Sequence, residues 1–243
     1  MAYIESIKLS NFRNYESLEL SFDKGTNIFY GDNAQGKTNI LEAVYLSGTT
    51  KSHKCSKDKE MIRFGEQEAH IRTVVVKKDK EYQIDMHLKK NRSKGIAINR
   101  VPIRKASELF GILNLVFFSP EDLNIIKNGP SERRRFLDLE LCQLDKVYLH
   151  QLAKYNKILN QRNRLLKDIP FHRELLDTLT VWDMQLVECG RNIIEARARF
   201  VEQLNGIVYE IHKNISGHQE ELKLQYEPDT PASQFMEKLS ASR

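Results

Sequence analysis

Eight consecutive residues carry the most specific chemistry in the chain: Gly31, Asp32, Asn33, Ala34, Gln35, Gly36, Lys37 and Thr38. Their order matches the spacing GxxxxGK[ST] in full. Glycines at its first and sixth positions open backbone conformations closed to residues with a Cβ. Successive N–H groups then turn inward and form a concave anion cradle. A helix starting at Lys37 adds the partial positive charge of its N-terminus. Lys37 supplies a full charge for the β- and γ-phosphates, and the Thr38 hydroxyl a ligand for Mg²⁺. The pattern predicts a nucleoside triphosphate site, for ATP with Mg²⁺, at residues 31–38.

Turnover requires a further group, a carboxylate at the end of a neighbouring strand that holds Mg²⁺ and orients water. The one candidate follows the apolar run Leu115, Val116, Phe117, Phe118, where Ser119 and Pro120 precede Glu121 and Asp122. Ser as cap and Pro at the first position mark a helix start. Both acids are therefore assigned to a first helical turn, and no catalytic residue is identified. The triplet Leu46, Ser47, Gly48 is read as the end of the helix behind the loop.

The loop needs a strand before it and a helix after it. Residues 26–30 are expected to form that strand, and residues 37–46 the helix, with Ile40, Leu41, Val44 and Tyr45 on one face. Residues 3–10 alternate apolar and polar, and residues 18–22 read as their hairpin partner. Residues 70–76 and 82–88 look like two more strands, and residues 96–99 and 101–103 like a hairpin turning at Asn99-Arg100. Residues 113–118 are expected to be a strand buried on both faces, and residues 222–226 a short strand. Long helices dominate from residue 131 onward. Leu175, Leu179, Trp182, Leu186, Cys189, Ile193, Ala196, Phe200, Leu204, Ile207 and Ile211 step by three and four, a heptad seam. With the preceding helix and the break at Pro170 they predict an antiparallel helical hairpin.

The chain has 243 residues, 40% of them hydrophobic, which suffices for one or two domains. It contains no apolar run long enough to span a membrane and no N-terminal secretory pattern. Cys55, Cys142 and Cys189 are widely spaced and form no CxxC, so buried or incidental thiols in a reducing cytoplasm are expected. The net charge of +5 is unevenly spread: residues 72–105 hold 11 basic and 3 acidic side chains. Lys77, Lys78, Lys89, Lys90, Arg92 and Lys94 are candidate contacts to DNA. A solvated sheet face is the competing reading of the same residues.

Several stretches together resemble the RecF family of the SMC-like ABC ATPases. They are Ile7-Lys8-Leu9-Ser10-Asn11-Phe12-Arg13-Asn14-Tyr15, Asn33 and Asn39 around the loop, and Thr50-Lys51-Ser52-His53-Lys54. Ser119 to Leu123, followed by Gly129 to Asp138 with Arg133, Arg134 and Arg135, completes the set. Ala34 stands where relatives often have Gly. The resemblance implies an α/β fold, an SMC/ABC-type P-loop ATPase head with a mixed sheet around the P-loop helix. An α-helical arm of antiparallel helices is inserted in it. It implies a head lobe with an antiparallel β subdomain over residues 1–130, the arm over 131–218, and a return towards the head over 219–243.

In function, the resemblance implies a cytoplasmic, ATP-binding DNA replication and repair protein. Such a recombination mediator binds single-stranded, gapped and double-stranded DNA, dimerises with ATP, and helps load recombinase with RecO and RecR. Asn11, Arg13 and Asn39 become candidate nucleotide contacts, though Asn11 and Arg13 also suit a strand end and a solvated base. Arg133, Arg134 and Arg135 either face phosphates or pair with Glu132 and Asp138. RecF-like chains run longer than this one, and the expected Walker B carboxylates and signature motif are not found in it. The sequence is therefore expected to be a fragment that does not turn over ATP alone. Competing readings are a P-loop small-molecule kinase and an ATP-binding assembly module without turnover.

Overall fold

The structure, a computed structural model, describes residues 2–242, with the side chain of Glu121 outside the described residues. It divides into two compact units, Met1–Asn124 and Ile125–Arg243.

The first unit is built on one six-stranded sheet. Its strands are β1 (Ala2–Phe12), β2 (Tyr15–Ser21), β3 (Glu68–Lys77), β4 (Lys80–Lys89), β5 (Arg92–Ile98) and β6 (Val101–Pro102), in the order β2-β1-β3-β4-β5-β6. Every ladder among the described residues is antiparallel. Alternation decides which face is covered: Ile7, Leu9, Ala69, Ile71, Val75, Ile84, Met86 and Leu88 all point into the core. Helix α1 (Lys37–Thr49) lays Ile40, Ala43 and Leu46 onto the same cluster. Each fully buried aliphatic side chain of this kind contributes about 1.5–3 kcal/mol. The tight turns at Lys78-Asp79 and Asn99-Arg100 place both central residues at positive φ, as two-residue hairpins of right-twisted strands require.

The α/β class, β1–β5 and the hairpin at Asn99-Arg100 agree with expectation, but three of the expected strands are absent. Residues 26–30, 113–118 and 222–226 lie in no ladder. A strand exists only when a neighbour completes its hydrogen bonds, and no described segment lies alongside these. Tyr30 is 92% and Val116 95% exposed, so the expectation of burial on both faces fails for the apolar run as well. Leu41 is also exposed, outside the buried stripe of α1. Nor does α1 stop at Ser47-Gly48. Gly48 lies against the Leu115 side chain where a Cβ would intrude, so its small size serves packing. The helix ends at Thr50, in the left-handed region at φ 63°, whose N–H bonds Leu46 O at 2.8 Å.

The second unit is helical. A single turn α2 (Asn124–Lys127) is followed by α3 (Pro130–Leu144), α4 (Lys146–Asp168), α5 (Leu176–Ile215) and α6 (Phe235–Ala241). Pro130 at the first position starts α3, and the Asp145 carboxylate caps α4 by accepting the Val147 N–H at 2.7 Å. At 1.5 Å per residue the 40 residues of α5 span roughly 60 Å. Packing of α4 on α5 forms the expected hairpin. Ile158 of α4 meets Leu186 and Cys189 of the heptad seam, with Trp182 and Tyr155 beside them. The seam is buried at Leu179, Leu186, Cys189 and Ile193 but exposed at Ile207 and Ile211. Inside this interface Arg162 pairs with the fully buried Asp183 at 2.5 Å. Asp138 takes Arg197 of α5 as its ionic partner, not the arginine cluster beside it. Arg133 instead donates to the carbonyls of Ile125 and Asn128, and Arg135 lies 4.0 Å from Glu132. No described helix is long and apolar enough to cross a membrane.

Candidate functional site

Residues 31–35 form an exposed loop that leads through the buried Gly36 into α1. Gly31, Ala34 and Gly36 have φ of 135°, 65° and 100°. Gly36 is obligatory twice over. Its φ disfavours a side chain, and a Cβ there would lie 2.6 Å from Tyr15 Oη and 2.7 Å from the Asn14 amide. Ala34 takes the left-handed conformation despite its methyl group, so the loop turns there without a glycine.

The N-terminus of α1 has no side-chain cap and no acid in its first turn. Among the described residues no side-chain cap or first-turn acid offsets the dipole there, and an anion gains from both the dipole and the free amides. The Lys37 ammonium folds back over the loop and donates to Gly31 O at 2.7 Å and Asp32 O at 2.6 Å. A full positive charge is thus held at the loop rim on two backbone carbonyls. Thr38 is exposed on the first turn of α1.

The β1–β2 turn braces this loop. Asn14 Nδ2 and Tyr15 Oη both donate to Gln35 O, at 3.2 and 3.3 Å. Asn39 Nδ2 donates to Asn14 Oδ1 at 2.8 Å, which joins the turn to α1. Partial burial raises the Tyr15 phenol pKa, keeping it a donor. Sequence reasoning gave Asn14 and Tyr15 no role, although both lie in the stretch that carries the family resemblance.

Arg13 and Asn11 point elsewhere. Both take positive φ, and the Asn11 amide reaches Glu66 at 3.4 Å. Arg13 grips Glu42 of α1 through Nε and Nη2, at 2.8 and 2.6 Å, and donates to Glu60 O at 2.7 Å. Glu42 is fully buried and also accepts from Ser52 Oγ at 2.5 Å. Burial works to raise its pKa, but the hydrogen bonds from Arg13 and Ser52 and the charges of Arg13 and His53 outweigh it. The carboxyl is therefore held below its ordinary range. The guanidinium is raised in turn, chiefly by its hydrogen bond to Glu42. Neither sequence reading of Arg13, nucleotide contact or solvated base, included this partner. The available signal was an acid four residues before the buried Leu46, on the apolar stripe of α1.

An open cavity of about 1090 Å³ lies beside these groups, lined in part by Arg13, Asn14, Asn39, Lys54, Arg63 and Lys90. Of the candidate DNA contacts only Lys90 reaches it. The six do not form one patch. Lys77 and Lys78 lie at the β3–β4 turn, Lys89, Lys90 and Arg92 at the β4–β5 turn, the far end of ten-residue strands roughly 30 Å away. Lys77 donates to Gly111 O, and Lys94 pairs with Asp58 at 2.9 Å. Asp122 caps its own helical turn, accepting from Ser119 N and Oγ, as the helix-start reading requires. Glu121, the other acid of that run, has its side chain outside the described residues.

Comparison with known proteins agrees with this architecture. A family model described as an AAA domain matches residues 6–227. The chain is 71% identical over 240 residues to the DNA replication and repair protein RecF of Agathobacter rectalis, covering 99% of this chain and 66% of that protein. It is 58% identical over 242 residues to RecF of Lachnospira eligens, covering 99% and 67%. A solved structure of the recombination mediator protein RecF with ATP, in the RecFOR pathway, superposes with a TM-score of 0.90 at 35% identity. That match covers 99% of this chain and 67% of the solved one. The chain thus spans about two thirds of the length of the relatives it matches. On the breadth and level of these matches, this chain belongs to the RecF family of AAA-domain proteins.

Proposed function

We propose that this chain binds ATP at residues 31–38 as the nucleotide-binding part of a DNA replication and repair protein. One observation carries the reading: an uncapped helix N-terminus behind a loop whose one cation, the Lys37 ammonium, is held on the loop's own carbonyls. The residues present fit a triphosphate, because Gly36 has no room for a Cβ and the first turn of α1 has no acid to repel phosphate. Lys37 is assigned to the β- and γ-phosphates and Thr38 to Mg²⁺, with Asp32, Asn33, Ala34 and Gln35 giving backbone amides. Asn39 stays a nucleotide contact, while Asn11 and Arg13 act by shaping the turn that braces the loop. Supporting this is the ATP in the solved RecF structure of the same fold.

The wider reading is drawn from the relatives, of whose length this chain spans about two thirds. In that reading a full-length protein of this family binds single-stranded, gapped and double-stranded DNA, dimerises on ATP, and works with RecO and RecR in loading recombinase. The cations placed for DNA narrow to Lys89, Lys90 and Arg92, which share one turn. The chain alone is expected to bind ATP without steady hydrolysis.

Binding of a fluorescent ATP analogue with Mg²⁺, compared between the chain and Lys37→Ala, tests the reading. Weakening by tenfold or more is expected, and equal affinity overturns it. For DNA, removing each of Lys89, Lys90 and Arg92 should lower the salt slope of binding by about 1.

A further inference from the structure

Away from the phosphate loop, three metal-ligating side chains converge on the exposed face of the sheet. Glu68 and His70 are two apart on β3 and so share a face, and His87 lies directly opposite His70 on β4. The His87 ring nitrogen Nε2 is 2.9 Å from Glu68 Oε2, and His70 Nε2 is 3.9 Å from Glu68 Oε1. The two imidazoles stack with centroids 3.8 Å apart and planes at 27°. One ligand atom from each residue lies within 4.8 Å of the other two.

From this geometry we infer that Glu68, His70 and His87 form a binding site for a zinc-class divalent cation. Bonds of about 2.0–2.1 Å at tetrahedral angles put ligand atoms roughly 3.3 Å apart. The two separations from Glu68, 2.9 and 3.9 Å, bracket that value, and the third lies within 4.8 Å. The donor set, two imidazoles and one carboxylate, suits Zn²⁺ rather than Mg²⁺ or Ca²⁺, which favour all-oxygen shells. The fourth position faces solvent, since all three side chains remain accessible.

Crowding of two imidazoles has no other evident function here. A cation shared by the two neutral rings would clamp β3 to β4 across this directly opposed pair. The next residues in the row leave room for it. Ser10 of β1 flanks His70 and Gly95 of β5 flanks His87, so no large side chain overhangs the rings. Lys89, 4.0 Å from Glu68, is the local counter-charge that a metal displaces, and its long stem can swing into solvent. The site involves no residue of the phosphate loop and stands apart from the nucleotide reading.

The test uses the 243-residue chain with Zn²⁺ titrated against a chelating indicator and Co²⁺ followed by visible absorption. One equivalent of metal is expected, with Co²⁺ bands of a low-coordinate nitrogen and oxygen site. His70→Ala, His87→Ala and Glu68→Gln should each weaken binding at least about tenfold, the lower bound even for outer-shell changes. Because all three are surface positions the variants should fold, which a thermal melt without metal checks. Zn²⁺ should raise the Tm of the parent chain but not of His87→Ala. Lys37→Ala and His172→Ala should bind metal like the parent. No stoichiometric binding by the parent, unchanged binding by His87→Ala, or an equal loss in His172→Ala would each overturn the inference.

Discussion

The Arg13 guanidinium clasps the Glu42 carboxylate with two parallel bonds, 2.8 and 2.6 Å long, and so ties the β1–β2 turn to the helix behind the phosphate loop. Glu42 has no solvent contact at all. The pair therefore sets where the turn sits, and through Asn14 and Tyr15 where the loop sits.

Breaking this pair from the arginine side leaves a buried carboxylate that still needs a partner. Arg13→Ala is expected to cost about 3–5 kcal/mol of stability. Arg13→Ala combined with Glu42→Gln should recover part of that loss, because the amide has no charge to bury. Urea unfolding of the two variants checks the order; equal midpoints would mean the pair does not constrain the fold.

The same carboxylate gives a pH dependence. Its folded pKa lies below the ordinary value of 4.5. The stabilisation is then fully present above about 4.5 and lost as pH falls through the lower folded value. Stability of the parent chain should therefore drop towards Glu42→Gln as pH is lowered below 4.5, with the gap widest near neutrality. Thermal melts across that window measure it, and a gap independent of pH would contradict the depressed pKa.

Two loop glycines should differ in their tolerance of a methyl group. At Gly36 a Cβ meets Asn14 and Tyr15 and also needs φ of 100°, whereas at Gly31 it meets nothing within 4 Å. Backbone strain alone costs about 1–3 kcal/mol, so both changes destabilise the loop. Gly36→Ala should additionally displace the brace and abolish nucleotide binding, while Gly31→Ala weakens it less. Parallel titrations with the fluorescent analogue decide between them.

In the helical unit, Gly190 of α5 lies so close under the Phe235 ring that a Cβ would overlap it. Gly190→Ala should cost about 1–3 kcal/mol by overpacking. Phe235→Ala in the same chain should remove most of the additional penalty, giving a favourable coupling in a double-mutant cycle. Additive losses would show that Phe235 moves aside freely.

Residues 31–38, the helix behind them, the β3–β4 and β5–β6 hairpins and the 40-residue helix were all legible in the sequence. Each is set by short-range rules: glycine spacing, alternation of two, steps of three and four, turn residues with positive φ. The brace of Asn14 and Tyr15, the Arg13–Glu42 clasp and the Glu68–His70–His87 cluster were not, because each joins residues distant in sequence through the register of neighbouring elements. Apolar pattern alone also assigned strands to residues 26–30 and 113–118. It encodes a preference for an extended backbone, but a strand is a relation between two segments, and hydrogen bonds need the second one. Charge shows the same division. The sequence placed a basic excess between residues 72 and 105, while the tertiary structure split its lysines between two ends of the sheet, since turns at opposite ends of a strand stay a strand length apart.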